Sequence, residues 1–186
     1  MARERKKFTS ASRSKMTSSV KTVLICGDSY SDNRNRSCAQ GSLEQWSWVD
    51  LLSSDYEIKC VAGVGASNWD IWRQIESQTA EYDLTIVNLT NLNRVSTYYP
   101  RLKMSDADQY SLNLQIADRI VKLSNTLCWS PFPEYEEMSR VHFIPLEQEN
   151  ELYSRKAKHR CTNHHFTREG NTQLYDWMKS QIEAQW

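Results

Sequence analysis

The predicted fold is decided by the stretch Val23-Leu24-Ile25-Cys26-Gly27-Asp28-Ser29-Tyr30-Ser31-Asp32. Its first half is a short, continuous apolar run, which predicts a strand buried on both faces. Its second half is a polar turn that follows the strand directly. A serine that comes after a glycine at a sharp strand exit can present its hydroxyl clear of the sheet. The stretch therefore predicts both a central strand and a reactive side chain at its end.

Strands and helices alternate along the rest of the chain. Apolar runs predict four further strands, over residues 56–62, 84–89, 126–129 and 141–144. Amphipathic patterns predict a helix over residues 43–52 with Ser42 as its cap, a second over 68–79, a third opened by Ser105 and a last one capped by Thr167. The inward stripe of the third helix is predicted to contain Tyr110, Leu114, Ala117 and Val121. This order predicts an α/β fold, namely a single doubly wound, flavodoxin-like, three-layer domain with a five-stranded parallel sheet.

Polar residues that suit acyl transfer follow the predicted strands. Ligands of open parallel sheets bind outside the carboxyl ends of the strands. There Ser29 provides a hydroxyl, the turn with Gly63 and Gly65 provides backbone N–H groups, and Asn91 provides a side-chain amide. His165, just before the last helix, could take the serine proton. This chemistry needs no metal and no organic cofactor, and we expect neither. The spacing of His159, Cys161, His164 and His165 also fits no common zinc pattern.

This order of motifs resembles the SGNH hydrolase superfamily, the GDSL-type esterases and lipases, over roughly residues 22–184. The resemblance rests on the strand leading into Gly27-Asp28-Ser29 and on His165, which Gly170 follows five residues later. It implies that Ser29 is the nucleophile and His165 its general base. It also implies an oxyanion hole made by the N–H groups of Ser29 and Gly65, with Gly63 as the competing glycine, and by the Asn91 side chain, with Thr90 or Asn93 as alternatives.

Two positions depart from the family pattern. The third family block usually contains Gly-x-Asn-Asp, whereas this chain has Leu89-Thr90-Asn91-Leu92-Asn93, and an ungapped alignment places Leu92 at the family asparagine. The family aspartate three residues before the histidine is replaced by Thr162. The site is then a Ser–His dyad, or a carbonyl or distant carboxylate orients His165, or activity is low. Asp28, Thr162 and His164 are candidate supporting residues.

The N-terminal residues 1–20 form a separate basic arm, and residues 21–186 form the hydrolase-like domain. Residues 1–21 contain seven basic side chains and one acidic one, although the whole chain has a net charge of zero. This composition predicts a flexible extension or a docking arm for an acidic protein surface or nucleic acid. The segment 147–160 is a candidate lid or peripheral loop.

The five cysteines, an odd number without a CxxC motif, favour a reduced setting. With no apolar leader, we expect a cytoplasmic or intracellular protein, a virion being a further setting. No run approaches the roughly 20 apolar residues of a membrane span.

Two functions are compatible with these features. The first is a serine esterase that acts on a small ester or acylated substrate. The second is an SGNH-fold binding or structural module with weak or no catalysis, anchored by its basic arm in a larger assembly such as a viral particle.

Overall fold

The computed structural model describes residues 20–32, 47–96, 104–144 and 168–185. They form five strands and four helices, with a short 3-10 helix at Pro133–Tyr135 after the fourth strand. In chain order the elements are β1 (Thr22–Cys26), α1 (Trp48–Leu52), β2 (Glu57–Cys60), α2 (Asn68–Glu76), β3 (Leu84–Asn88), α3 (Asp106–Ile120), β4 (Thr126–Ser130), β5 (Val141–Phe143) and α4 (Arg168–Gln185).

The sheet is parallel throughout, with the strand order β2-β1-β3-β4-β5. Val23 lies opposite Ile58 of β2 on one side and opposite Leu84 of β3 on the other. The chain leaves β1 toward β2 and later returns to the other side of β1. The carboxyl end of β1 is thus the topological switch point, where such folds open a crevice. The predicted doubly wound α/β fold is confirmed.

Both faces of the sheet are covered, as the continuous apolar runs predict. One core lies between the sheet and the helices α1 and α4, and the other lies between the sheet and the helices α2 and α3. The first core includes Val23, Ile25, Leu84, Ile86, Leu127, Trp129, Trp48, Leu52, Leu174, Met178 and Ile182. The second includes Leu24, Cys26, Val87, Leu89, Cys128, Ile71, Ile116, Ala117 and Ile120. Successive residues of β1 therefore contribute to opposite cores.

The helices differ from the predictions at the start of α1 and on the buried face of α3. Helix α1 is capped by Ser47, whose side chain and Asp50 form a capping box. The predicted caps Ser42 and Thr167 lie outside the described residues. In α3 the predicted inward stripe is wrong at Tyr110, which is exposed. Gln109 and Asn113 are buried in its place, because their amide groups bind carbonyl oxygens of the loop that follows β3.

Among the described residues no helix has the length and apolar character needed to cross a bilayer. Cys26 and Cys128 are buried, and Cys60 is half-buried.

Candidate active site

Ser29 lies in a tight turn directly after β1, at the switch point of the sheet. The Asp28 carbonyl oxygen accepts hydrogen bonds from the N–H groups of Ser31 and Asp32, each at 3.1 Å, and the Asp28 carboxylate accepts one from the N–H of Tyr30 at 3.0 Å. The turn is therefore fixed by Asp28 on both its main chain and its side chain. Ser29 itself is half-buried and makes no hydrogen bond within the described part of the chain. Its hydroxyl is available to a base or a substrate.

Gly27, between the strand and this turn, allows a very close approach to β3. A Cβ atom on Gly27 would lie 2.8 Å from the Cβ of Asn88, closer than side chains tolerate. The Gln74 side chain of α2 binds the same residue twice: its Oε1 accepts from the Gly27 N–H at 2.8 Å and its Nε2 donates to the Gly27 carbonyl at 3.0 Å. Gln74 therefore continues the backbone pairing at the point where β1 leaves the sheet. No pattern in the sequence identifies this contact.

Asp28 is fully buried beneath the turn. One carboxylate oxygen accepts from the Thr90 hydroxyl at 2.8 Å and lies 3.9 Å from Nη2 of Arg94. Burial raises the pKa of Asp28, although the hydrogen bonds from Tyr30 and Thr90 and the charge of Arg94 act in the opposite direction. Asp28 thus joins the serine turn to the loop after β3.

The loop after β3, residues 89–96, is held from three sides by buried side chains. The N–H of Thr90 donates to Asn68 of α2 at 3.1 Å, and the hydroxyl of Tyr135 donates to the Thr90 carbonyl at 2.6 Å. Asn113 of α3 donates to the carbonyl oxygens of Leu92 and Arg94 at 2.8 and 2.9 Å. Because these contacts join residues far apart in the chain, sequence inspection did not find them.

Two of the predicted side-chain donors of this loop, Thr90 and Asn91, donate to carboxylates outside it. Asn91 donates from Nδ2 to Oε1 of Glu134 at 2.7 Å, and its Oδ1 accepts from the N–H of Asn93 at 2.8 Å. The Asn93 side chain is exposed, whereas Leu92, which aligns with the family asparagine, is fully buried in the core. Asn91 thus lies at the carboxyl end of β3, and its amide donates to Glu134.

The two glycines after β2 differ in their hydrogen bonding. The N–H of Gly63 donates to the Gly27 carbonyl at 3.0 Å and so extends the pairing of β1 with β2. Gly65 lies in the following turn, half-buried, with φ of +77°, a conformation that glycine adopts without strain. Gly63 therefore belongs to the sheet pairing, and Gly65 belongs to the turn that follows it.

The predicted base, His165, lies outside the described residues, and so do Thr162 and His164. The structure does describe helix α4, which begins three residues after His165. The side chain of Asn171 in α4 accepts from the N–H of Trp48 at 2.9 Å, and the Trp48 indole donates to the Tyr30 carbonyl at 2.8 Å. Trp48 therefore joins the first turns of α4 to the serine turn.

Comparisons with known proteins identify the fold. No family model matches the sequence, and no curated protein matches it. Among solved structures, the psychrotrophic esterase EstA from Pseudoalteromonas sp. is 15% identical with a TM-score of 0.53, covering 88% of this chain and 97% of that chain. A lipase/acylhydrolase from Enterococcus faecalis is 13% identical with a TM-score of 0.55, covering 88% and 96%. A G-D-S-L family protein from Desulfitobacterium hafniense is 12% identical with a TM-score of 0.50, covering 87% and 99%.

The chain therefore has the fold of the SGNH, or GDSL-type, hydrolases, a fold used by esterases and lipases. The resemblance predicted from the sequence is confirmed at the level of the fold.

Proposed function

We propose that the protein is a serine esterase that hydrolyses acyl esters through an acyl-enzyme on Ser29, with His165 as general base. The observation that carries this proposal is the position of Ser29. It lies in a rigid turn at the switch point of the sheet, and its hydroxyl has no hydrogen-bond partner among the described residues. The main chain and side chain of Asp28 hold the turn in place. The similar structures, which include an esterase and a lipase/acylhydrolase, support an ester as the substrate.

Catalysis proceeds in two steps. In the first, His165 accepts the proton of the Ser29 hydroxyl while Oγ attacks the ester carbonyl carbon, and the carbonyl oxygen becomes an oxyanion. The N–H groups of Ser29 and Gly65 donate to that oxygen, together with a side chain from the loop after β3. The intermediate expels the alcohol, which takes the proton from His165. In the second step water loses a proton to His165 and attacks the acyl carbon. As the acid leaves, His165 returns that proton to Oγ, which restores both Ser29 and the neutral imidazole.

Contacts of α4 support the assignment of His165. Arg168, the first residue of α4, comes three positions after His165, a span of about 10 Å when fully extended. Hydrogen bonds through Trp48 hold the start of that helix against the Ser29 turn. We therefore propose that this short connection allows His165 to act on Ser29. Because Thr162 replaces the family aspartate, we propose a Ser–His dyad, with orientation of the ring left to a backbone carbonyl, His164 or a more distant carboxylate.

The test is hydrolysis of short-chain p-nitrophenyl esters by the purified chain, compared with Ser29→Ala and His165→Ala. We expect both variants to lose at least about a thousandfold in kcat. Ser31→Ala is the matched control, because it removes a buried hydroxyl without a partner from the same turn, and it should retain activity. A fluorophosphonate probe should label the wild type and not Ser29→Ala. Absence of both turnover and labelling would overturn the proposal.

The second candidate function is a binding or structural module, and the observation that favours it is the separation of charge. Residues 1–21 have an excess of six positive charges, which the rest of the chain balances. If the arm binds nucleic acid, affinity for a DNA duplex should fall steeply with salt and be lost on deletion of residues 1–20. Salt-dependent binding without esterase activity would favour the binding or structural module. Ester turnover that requires Ser29 would exclude a catalytically inactive module.

A further inference from the structure

Arg94 lies at the same edge of the sheet as Ser29, and its guanidinium lacks a hydrogen bond within the residues that the structure describes. Its side chain is only 32% exposed. The nearest opposite charge is the Asp28 carboxylate at 3.9 Å, which is beyond hydrogen-bond distance. A guanidinium has five N–H donors, so the ion pair with Asp28 leaves most of them open to hydrogen bonds. The arrangement leaves these donors for a group that the described chain does not supply.

The main chain at Arg94 is held firmly, so this placement does not depend on a loose loop. The N–H of Arg94 donates to the Asn91 carbonyl at 3.0 Å. Its carbonyl oxygen accepts from Gln109 at 3.2 Å and from Asn113 at 2.9 Å, and both of these residues are buried in α3. The side chain extends from this fixed point toward Asp28, the residue directly before Ser29.

The Asp28 carboxylate accepts its hydrogen bonds from groups other than Arg94. Its two carboxylate oxygens already accept from the Tyr30 N–H and the Thr90 hydroxyl. Burial raises the pKa of Asp28, while the charge of Arg94 acts in the opposite direction. The guanidinium is therefore a positive group that lies 3.9 Å from the carboxylate of the residue preceding Ser29 and makes no hydrogen bond within the described residues.

We propose that Arg94, rather than Asn91, is the side-chain donor that stabilises the oxyanion formed on the substrate of Ser29. This proposal rests on the serine esterase function given above. When Oγ of Ser29 bonds to the carbonyl carbon, the π electrons move to the carbonyl oxygen, and an Arg94 N–H donates to that new negative charge. Asn91 is the weaker candidate because its Nδ2 already donates to Glu134. An arginine provides full charge as well as hydrogen bonds.

The experiment compares Arg94→Ala, Arg94→Lys and Asn91→Ala in steady-state hydrolysis of p-nitrophenyl acetate. We expect Arg94→Ala to lower kcat by about 100-fold with little change in KM, as for removal of one oxyanion donor. Arg94→Lys should retain part of the activity, and Asn91→Ala should lose less than Arg94→Ala. Arg119→Ala, on the exposed face of α3, is the matched arginine control and should behave as the wild type.

Chemical rescue separates a direct role from a structural one. Guanidinium added at millimolar concentration should restore part of the Arg94→Ala activity, while sodium chloride at equal ionic strength should not. Ser29→Ala should not be rescued. Two results would overturn the Arg94 assignment alone. One is an Arg94→Ala variant that keeps the wild-type kcat. The other is an Arg94→Ala variant that guanidinium does not rescue, together with a larger loss of activity in Asn91→Ala. A wild type without turnover or fluorophosphonate labelling would instead overturn the esterase proposal.

Discussion

Among single residues, Gly27 is the point at which the geometry of the sheet constrains the site. A Cβ atom there would lie 2.8 Å from the Cβ of Asn88, which a rotamer change cannot move away. We expect Gly27→Ala to lower the free energy of unfolding by about 1–3 kcal/mol, as overpacking of a core does. It should also lower kcat, because the displaced backbone leads directly into Ser29. Urea denaturation and ester hydrolysis measure the two effects, and a variant with wild-type stability would refute the close packing.

Gln74 tests whether the serine turn depends on a side chain from α2. Gln74→Met keeps the length of the side chain but leaves the Gly27 N–H without the acceptor that Oε1 provides. An unsatisfied backbone donor costs about 1–3 kcal/mol, so urea denaturation should show a loss in this range. Gln74→Glu retains an acceptor for the Gly27 N–H but loses the Nε2 donor to the Gly27 carbonyl, so it should be destabilised as well. Gln115→Met, exposed on α3, is the control, and an equal loss in that variant would argue against the Gly27 contact.

At the scale of elements, the N-terminus of α2 connects two of the loops that carry the site. Ser67 and Asp70 form a capping box, and the other carboxylate oxygen of Asp70 accepts from the Ser96 hydroxyl at 2.5 Å. The cap follows the Gly65 turn, and Ser96 ends the described loop after β3. One buried carboxylate therefore fixes both loops relative to each other.

A double-mutant cycle measures this connection. Asp70→Ala should be more destabilising than Ser96→Ala, because it removes the carboxylate half of the capping box as well as the bond to the loop; loss of a cap costs about 1 kcal/mol. Ser96→Ala in the Asp70→Ala background should add little, giving a coupling energy of about 0.5–1.5 kcal/mol by urea denaturation. Fully additive effects would show that the Asp70–Ser96 bond does not contribute to stability.

The elements could be predicted from the sequence because their signals are local. Burial on both faces produces the continuous apolar runs of β1 and β3, and Ser105 precedes its helix in a recognisable cap. The prediction at Tyr110 is wrong because apolar character does not by itself mean burial, whereas Gln109 is buried and bonds to a loop carbonyl. Gln74 and Arg94 were missed for the same reason: their roles depend on partners brought close only by the fold.

For the molecule as a whole, we expect the two cysteines buried in the sheet, Cys26 and Cys128, to make the folded chain less stable at alkaline pH. Burial raises the pKa of Cys26, to which the neighbouring Cys60 also contributes. Burial likewise raises the pKa of Cys128 to about 12, against a smaller opposing effect of Arg140. Both thiols therefore stay protonated in the folded chain at pH values where an exposed thiol, with a pKa of about 8.5, ionises.

We expect the free energy of unfolding to fall above about pH 8.5, because the unfolded chain then releases two protons that the folded chain keeps. The stabilisation is complete below the unfolded pKa and is lost as pH rises toward the folded one, at up to about 1.4 kcal/mol per thiol per pH unit. Urea denaturation under reducing conditions, between about pH 7 and pH 9.5, covers this window before tyrosine and lysine titrate. The double variant Cys26→Ala with Cys128→Ala should be less stable at neutral pH, because it leaves small cavities, yet clearly flatter with pH. A slope equal to that of the wild type would show that other groups control the alkaline limit.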